Sequence, residues 1–358
     1  MKNVWYISKY VKTSFVGNSG SRGYYLLEEL SKIGFKSLIF SSFPFKNSIN
    51  FEKPIININK NFEYVYLNSY KFKYSNSFKR ILSWIDFEIK LLILNKRNLS
   101  KPDLIIVSSL SLLTILNGLL LKKKYRCKLI FEVRDIWPLT LTEEGGFNKY
   151  NIFILLLQFI EFLGYKYSDY IIGTMPNLKE HVKNILGYYK GVTCIPIGYK
   201  KEELHSYKKI PNNIQALIPK NKFTIGYFGG MGISNALDPF FNVVCKCKNY
   251  HDIHFLVAGS GDLKKKYTLQ TSHLENITIL PLVEKKFINS IYERCDLLYF
   301  STHNSKIWGC PRGFRKVREA GRVNFLRISP KSNFMVTFNC KKRSATVDGV
   351  CTIMCIIL

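Results

Sequence analysis

The residues best suited to chemistry in this chain are the glycines that interrupt its second half. Residues 223–228 form a short β-rich run, and the sequence GGMG at residues 229–232 ends it before a helical pattern begins near Asn235. Glycine lets a backbone approach a ligand closely, and a helix N-terminus offers unpaired N–H groups at the positive end of its dipole. The pattern predicts a phosphate-binding loop, and the alternative is a tight strand-to-helix turn without a ligand.

A second glycine turn lies further along the chain. It reads AGSGD at residues 258–262, after a strand predicted at residues 254–257 and before a lysine-rich helix. Both turns therefore have the strand-turn-helix context in which α/β proteins bind phosphate.

Charged residues end an apolar strand in the first half of the chain. The run at residues 128–133 leads directly into Arg134 and Asp135. Charges there are costly to bury unless they are paired or functional. The carboxyl end of a strand favours a site, and the alternative is an Arg134–Asp135 ion pair that fixes a loop.

Two series of alternating strands and helices must position these residues. The first begins with a strand at 4–8, a polar loop with Gly20 and Arg22, and a helix at 24–33 that ends at Gly34. Because ligands bind outside the carboxyl ends of strands in doubly wound sheets, this loop should face a cleft. Further strands are expected at 36–41, 61–68, 104–108, 128–133, 170–173 and 194–199, and helices at 78–94, 110–121, 153–165 and 178–186.

The second series follows a polar, lysine-rich linker at residues 200–222, which contains Pro211 and Pro219. Its strands are expected at 223–228, 254–257, 277–280 and 296–301, and its helices at 238–247 and 284–294. Two such series predict an α/β protein with two Rossmann-like domains, whose parallel sheets face a cleft.

Composition narrows the class of protein. The 358 residues are 47% hydrophobic, which indicates a globular chain long enough for two domains. The net charge is +28, yet the excess is mainly lysine dispersed among asparagine, isoleucine and aromatic residues, as in proteins of AT-rich genomes. This charge permits an anionic membrane surface as a partner. No helix-turn-helix, zinc or RNP-like signature supports nucleic-acid binding, which would weaken steeply with salt.

The cysteines and the apolar segments predict a cytoplasmic location. The nine cysteines lack the spacing of a metal site, so we expect them to be reduced. The N-terminal residues 1–10 lack the apolar core of a signal peptide. The most apolar windows, 104–121 and 152–163, carry polar residues and are poor candidates for a transmembrane span.

The order of these motifs resembles family 4 glycosyltransferases with the GT-B fold. It is most similar to the bacterial enzymes that build O-antigen and capsule repeat units, including N-acetyl-L-fucosamine transferases. The resemblance covers roughly residues 1–308. It depends on the loop with Asn18, Gly20 and Arg22 and on segments 131–138, 167–174, 195–198, 226–232, 255–262 and 295–300.

The resemblance implies a retaining transfer of a sugar from a nucleotide donor, with no metal and no other cofactor. UDP is the expected nucleotide, and the acceptor would be a glycan on polyprenyl diphosphate. The protein would be peripheral at the inner face of the bacterial plasma membrane. The implied domains are an acceptor-side domain at 1–199, a linker at 200–222 and a nucleotide-sugar-binding domain at 223–308.

The resemblance also implies roles for individual residues. Arg134 and Asp135 would face the transferred sugar or the acceptor, with Asp135 orienting a hydroxyl. Gly20 would approach the donor phosphates from the first domain. The donor diphosphate would meet the loop of Gly229, Gly230, Met231 and Gly232, and the nucleotide would lie near Gly259, Gly261, Asp262, Pro281, Leu282 and Val283.

The family pattern ends at Trp308. Members continue with a Pro-x-Lys helix start and two glutamates eight positions apart, whereas residues 309–358 are rich in arginine and cysteine. Our hypothesis is a frameshift near Trp308 that replaced the true C-terminus; the alternative is a divergent but genuine terminus. We therefore expect an incomplete second domain with an exposed sheet edge, and weak or absent donor binding.

A second interpretation of the function, from a different class of protein, stays open. A two-domain protein could bind a small ligand without catalysis, as periplasmic binding proteins do. That reading predicts a secretion signal and a cleft without diphosphate loops, and residues 1–10 and 229–232 argue against it.

Overall fold

The computed structural model describes two compact units. Residues up to Ile195 lie in the first unit, and the residues from Tyr207 onward lie in the second. The described residues are 2–12, 20–42, 55–70, 78–109, 111–143, 146–175, 177–195, 207–232, 235–300 and, as backbone, 324–327.

The first unit is built on one eight-stranded sheet. Its strand order is β3-β4-β2-β1-β5-β6-β7-β8, and all neighbours are parallel except the antiparallel pair β3–β4. The strands are β1 (Asn3–Ile7), β2 (Lys36–Ser41), β3 (Ile55–Asn59), β4 (Phe62–Tyr66), β5 (Leu104–Ser108), β6 (Lys128–Val133), β7 (Tyr170–Gly173) and β8 (Val192–Cys194).

Six helices within the described residues accompany this sheet. The first ends where Gly34 adopts a φ of 93°, a conformation that glycine tolerates without strain. Another begins where the Asn151 side chain accepts a hydrogen bond from the N–H of Phe153. The helices are α1 (Arg22–Lys32), α2 (Phe78–Ile93), α3 (Thr114–Tyr125), α4 (Leu139–Glu143), α5 (Ile152–Tyr167) and α6 (Leu178–Leu186).

The strand order of the first sheet reverses at β1. Strand β1 pairs with β2 on one side and with β5 on the other, so the chain changes direction across the sheet between β1 and β5. The carboxyl ends of these strands lie side by side, because Ile7 is in register with Val107. Ligands of doubly wound proteins bind at such a switch point.

The second unit is built on a parallel sheet with the order β11-β10-β9-β12-β13. Aromatic side chains fill its core, where the rings of Phe241 and Tyr267 stack at 4.1 Å. Its strands are β9 (Phe223–Phe228), β10 (Ile253–Ala258), β11 (Ile277–Ile279), β12 (Leu297–Phe300) and β13 (Asn324–Arg327). Its helices are α7 (Asn212–Gln215), α8 (Asp238–Lys246), α9 (Lys264–Thr271) and α10 (Lys285–Tyr292).

Most predicted elements are confirmed, and two had wrong bounds. The helix expected at 110–121 begins at Thr114 and continues to Tyr125, because lysine is a good helix former and Arg126 ends the helix in a left-handed conformation. The strand expected at 194–199 is β8, which pairs with β7 from Val192 to Cys194. Residues 196–199 lie outside the described residues.

A fifth strand extends the second sheet beyond residue 308. We expected an incomplete second domain with an exposed sheet edge. Strand β13 lies parallel to β12, with Leu297 in register with Asn324, so β12 is paired on both sides. The completeness of the second domain and the origin of the tail stay hypotheses.

No helix within the described parts of the chain is long and apolar enough to span a membrane.

Candidate active site

The two glycine turns of the second unit lie against each other. Strands β9 and β10 are neighbours in register, so the turns that follow them start at the same edge of the sheet. The N–H of Gly229 donates to the carbonyl of Ala258 at 2.9 Å, and the N–H of Met231 donates to the carbonyl of Ser260 at 2.9 Å. Sequence analysis placed these turns at strand ends, and the structure brings them together.

Glycine is required where the turns meet. A Cβ on Gly259 would lie 1.8 Å from the carbonyl oxygen of Gly229, closer than any non-bonded contact allows. Gly261 has a φ of 156°, and its Cβ would lie 2.5 Å from the backbone of Met231. Part of the glycine pattern therefore has a packing reason that is independent of any ligand.

The hydrogen bonds between the turns reduce the number of loop N–H groups that are available to a phosphate. The N–H groups of Gly229 and Met231 already have carbonyl acceptors, and the Met231 side chain is buried in the core. Among the described residues, no acceptor is recorded for the N–H groups of Gly230 and Gly232. The phosphate-binding role of this loop stays a prediction, and Gly230 and Gly232 are the members whose N–H groups could take part in it without losing a recorded hydrogen bond.

The helix after this loop begins at the residue that the sequence predicts. Helix α8 starts at Asp238, three residues after the helical pattern begins at Asn235, with Pro239 in its first turn, where a missing N–H costs nothing. Asp238 forms an ion pair with Lys266 at 2.7 Å. A carboxylate in the first turn competes with a bound anion for the helix dipole. The loop N–H groups are therefore better phosphate donors than the helix end.

The remaining candidates of the second unit lie on the same sheet edge. Strand β11 is next to β10, and the N–H of Leu280 donates to the carbonyl of Val257 at 2.8 Å. Pro281, Leu282 and Val283 follow directly, and the Leu282 side chain is 80% exposed. An exposed apolar residue beside the turns is suited to contact with a flat base.

Asp262 and Lys264 complete this edge. Asp262 is exposed between Gly261 and helix α9. The Nζ of Lys264 donates to the carbonyl of Gly259 at 3.1 Å, which holds an ammonium group at the glycine turn. Sequence analysis described the segment after this turn only as a lysine-rich helix and did not single out Lys264; its position directly after a glycine turn was the available signal.

In the first unit, three side chains form a buried network at the carboxyl end of β6. Glu132 is fully buried and accepts a hydrogen bond from the Tyr6 hydroxyl at 2.5 Å. It also forms an ion pair with the Nε of Arg22 at 2.8 Å. Burial, and then the charge of Glu132, raise the pKa of Tyr6 above its usual value. Sequence analysis named Arg22 and residue 132 but did not pair them.

Arg134 and Asp135 follow this network and are half-buried. The N–H of Arg134 donates to the Ser109 hydroxyl at 2.9 Å, and the Ser109 hydroxyl donates to the carbonyl of Asp135 at 3.3 Å. The positive charge of Arg134 lowers the pKa of Tyr6, opposing Glu132, so Arg134 belongs to the same electrostatic cluster. The backbone of both predicted catalytic residues is thus tied to the end of β5.

Gly20 lies at the start of α1, on the same side of the sheet as this cluster. Its N–H donates to the Tyr25 hydroxyl at 2.7 Å. This N–H is therefore already bonded, and the approach of Gly20 to the donor phosphates stays a prediction.

A second polar cluster lies near the switch point and was not predicted. The Nζ of Lys9 is buried after β1 and donates to the hydroxyls of Ser42, at 3.0 Å, and Ser69. Its burial lowers the pKa of Lys9 to about 8. Glu88 of α2 accepts a hydrogen bond from the Thr114 hydroxyl at 2.5 Å, and burial raises the pKa of Glu88 to about 7.

Within the described residues, no group of three or more His, Cys, Asp or Glu side chains is placed to hold a metal ion. Metal-independent chemistry stays a prediction.

Comparison with known proteins identifies the fold. No protein-family model matches this sequence, and neither does any curated protein. Sucrose-phosphate synthase from Thermosynechococcus elongatus matches with a TM-score of 0.64 at 12% identity, over 92% of this chain and 81% of its own. HepE from Anabaena, solved with UDP and glucose, matches with a TM-score of 0.58 at 14% identity, over 91% and 80%.

A third solved structure extends the comparison. WaaG, a glycosyltransferase involved in lipopolysaccharide biosynthesis, matches with a TM-score of 0.56 at 11% identity, over 90% of this chain and 80% of its own. These similarities confirm the predicted α/β architecture and show that the chain has the GT-B glycosyltransferase fold.

Proposed function

We propose that this protein is a nucleotide-sugar glycosyltransferase. The observation that carries the proposal is the pair of interlocked glycine turns on a GT-B fold, in which the N–H groups of Gly230 and Gly232 have no recorded acceptor among the described residues. The solved structure of HepE contains UDP and glucose, which favours UDP as the nucleotide. The donor is then a UDP-sugar bound at the carboxyl edge of the second sheet.

Sugar transfer from a nucleotide donor is consistent with a site in which backbone N–H groups bind the diphosphate. The leaving diphosphate gains negative charge in the transition state, and fixed N–H donors stabilise such charge without reorganisation. Lys264 adds a cation at the same turn. We propose that these groups replace a metal ion, with Gly259 and Gly261 setting the geometry, Asp262 beside the nucleotide, and residues 281–283 against the base.

The first unit is proposed to bind the acceptor. Asp135 orients a sugar hydroxyl, and Arg134 binds the transferred sugar or the acceptor. The acceptor class is a glycan on polyprenyl diphosphate, as in O-antigen or capsule synthesis at the inner face of a bacterial plasma membrane. WaaG acts in lipopolysaccharide biosynthesis, a related setting, and supports this class. Transfer proceeds with retention of the anomeric configuration.

The tail is part of the proposal. A frameshift near Trp308, which lies outside the described residues, removes the paired glutamates of the family and weakens donor binding. Sequencing the locus tests this idea: the other reading frame must restore the Pro-x-Lys and paired-glutamate pattern. If it does not, the tail is a divergent but genuine terminus.

A thermal-shift panel tests the donor site. The full chain is heated with UDP, GDP, dTDP and CDP, with their sugar conjugates, and with the matching monophosphates as controls. A diphosphate at 100 times its Kd should stabilise the chain by about 2.7 kcal/mol, and the monophosphate by less. If no diphosphate raises the Tm above its monophosphate, either the site assignment is wrong or the second unit is incomplete. A chain with a repaired C-terminus separates the two, because only the first explanation predicts that it too shows no shift.

A transfer assay then separates an enzyme from a binding protein. The stabilising UDP-sugar, labelled in the sugar, is incubated with polyprenyl-diphosphate glycans, and the anomeric configuration of the product is read by NMR. Retained configuration in the product supports the proposal. Donor binding without transfer, including by a chain with a repaired tail, supports a small-ligand-binding protein instead.

A further inference from the structure

Helix α2 presents an apolar stripe to solvent. Its buried side chains, including Phe87 and Leu91, pack on the first sheet. Its opposite face is also apolar, with a helical spacing of i, i+3, i+7, i+10 and i+11. The exposed residues are Leu82, Ile85, Ile89, Leu92 and Ile93.

Helix α5 has the same property. Ile152, Leu155, Leu156 and Phe159 are spaced i, i+3, i+4 and i+7, and all are exposed, Ile152 by 85%. Its buried side chains, such as Leu157, belong to the core of the first unit. This helix is apolar on both faces, which is uncommon for a helix in contact with water.

Helix α3 connects the two stripes. It packs against α2 on one side and α5 on the other, so the three helices form one layer. Leu116 and Leu120 are exposed on it, one turn apart. The exposed apolar residues of α2, α3 and α5 therefore belong to a single surface, the apolar helix face. Exposed apolar side chains that are grouped on neighbouring helices mark an interaction site.

The charges on these helices have one sign. The exposed charged residues of α2, α3 and α5 within the described side chains are Lys79, Lys123, Lys124 and Lys166, and none is acidic. The acids of these helices are turned inward or paired; Asp86, for example, binds Lys90 at 2.9 Å. The exposed charges on these three helices are therefore all cationic.

A basic cavity lies at the end of this face. It has a volume of about 690 Å³, and Lys123 and Tyr167, both exposed, belong to its lining. Its lining contains four cationic side chains and only two acidic ones, Asp103 and Asp169. Asp169 pairs with Lys122 at 2.8 Å, whereas Lys123 and Arg126 have no recorded ion pair within the described residues.

We propose that the apolar helix face docks on an anionic phospholipid bilayer, with the basic cavity receiving a lipid phosphate. Apolar side chains enter the interface, and the exposed lysines of these helices meet the anionic headgroups. A second copy of this chain fits less well, because a twofold contact through this face would place like charges together. The inference names the membrane surface of the proposed function and rests on that function for the side of the membrane.

Vesicle co-sedimentation of the full chain tests the proposal without nucleotide. Wild type should bind vesicles containing phosphatidylglycerol at least about tenfold more tightly than vesicles of phosphatidylcholine alone. The double variant Leu156→Gln/Phe159→Gln should lose about tenfold or more on both vesicles. Leu269→Gln, at an exposed leucine of the second unit, is the matched control and should bind as wild type.

The cavity is tested by Lys123→Gln/Arg126→Gln. Two cations near the surface contribute about 30-fold in affinity, so binding to phosphatidylglycerol vesicles should fall by that factor while binding to phosphatidylcholine is unchanged. Lys248→Gln/Lys265→Gln, at exposed lysines of the second unit, is the control.

Three outcomes would overturn the inference. They are equal binding of wild type to both vesicles, wild-type binding by the Leu156/Phe159 variant, and a dimer in analytical ultracentrifugation that this variant abolishes. The nucleotide thermal shift should be the same in every variant, so failure here is distinct from failure of the proposed function.

Discussion

The two units use the same sheet edge in different ways. In the first unit, charged side chains occupy the carboxyl ends of the strands, where the buried Glu132 is paired with the partly buried Arg22. In the second unit, backbone occupies this edge, and Gly259 lies against the carbonyl of Gly229. Parallel sheets of similar topology therefore give one surface rich in charge and one rich in N–H groups.

This difference is consistent with the two proposed roles, a donor site in the second unit and an acceptor site in the first. Backbone N–H groups bind any phosphate and cannot lose a proton, which suits the constant part of a nucleotide donor. Side chains differ in shape and charge, which suits the variable part of an acceptor. The predictions below test whether charge holds the first edge together and whether backbone geometry holds the second.

The largest effect is expected from Glu132→Gln. Breaking a buried ion pair by removing one of its charges costs about 3–5 kcal/mol, and Glu132 is the fully buried member of its pair with Arg22. Denaturant unfolding, with hydrogen exchange of peptides from β1 and β6, measures the loss in the first unit. Glu63→Gln is the control, because Glu63 and Lys36 are partly exposed at 3.5 Å, and its cost should be about 0–1 kcal/mol. Equal costs would show that charge does not hold this edge.

The second effect is a pH dependence confined to the first unit. Burial raises the pKa of Glu88 from 4.5 to about 7, so its ionisation opposes folding. The stability is fully present below about pH 4.5 and falls as the pH rises through about 7, by on the order of 3 kcal/mol. Glu88→Gln should remove this fall, as measured by hydrogen exchange of α2 and α3 peptides at pH 5 and pH 7.5.

The second unit provides a control, because its stability should change with pH in the opposite direction. Burial, and then the charge of Lys222, lower the pKa of His254 from 6.5 to about 4. Stability from this group is present above about pH 6.5 and is lost as the pH falls through about 4. The protection factors of β10 amides, which correct for the intrinsic pH dependence of exchange, should therefore fall at low pH in wild type and in Glu88→Gln alike. A common pH profile in both units would contradict the comparison.

The third effect comes from Gly259→Ala. The new methyl group meets the Gly229 carbonyl, so the turns separate at a cost near the upper end of about 1–3 kcal/mol, and UDP affinity falls by about tenfold or more. Gly232→Ala is the matched control, since its Cβ meets Asn235 only at 3.9 Å. Titration calorimetry measures the UDP affinity of both variants, and denaturant unfolding measures their stability. An unchanged Kd in Gly259→Ala would show that ligand binding does not need the interlocked turns.

The smallest effect is expected from Lys264→Met. It removes one partly exposed cation beside Gly259, so UDP should bind about three- to fivefold more weakly. Lys265→Met, at the next and exposed position of α9, should bind as wild type. Equal affinities would limit the site to backbone groups.

Local patterns predicted much of the fold. The strands β5, β6, β7 and β9 and helix α6 were expected at their observed bounds, because apolar runs and helical spacing depend on nearby residues only. Helix α3 was misplaced because its last turn is made of lysines. Strand β3 was missed because it is short and asparagine-rich, and it depends on pairing with β4.

The site was predicted less completely, because strand order is not a local property. The pairing of Glu132 with Arg22 joins residues 110 positions apart. Which N–H groups of residues 229–232 stay free depends on the carbonyls of Ala258 and Ser260, and so on the adjacency of β9 and β10. Sequence analysis found the glycines, and the structure decides which of them have a free N–H.

The most direct test of the account is UDP binding by the full chain, compared between Gly230→Asp and Gly230→Asn. Gly230 is exposed, and the two side chains have nearly the same shape, but only aspartate adds a negative charge at the phosphate loop. The account predicts that wild type binds UDP, that asparagine changes the Kd little, and that aspartate weakens binding by about tenfold or more. Equal Kd values for the two variants, or no binding by folded wild type, would contradict it.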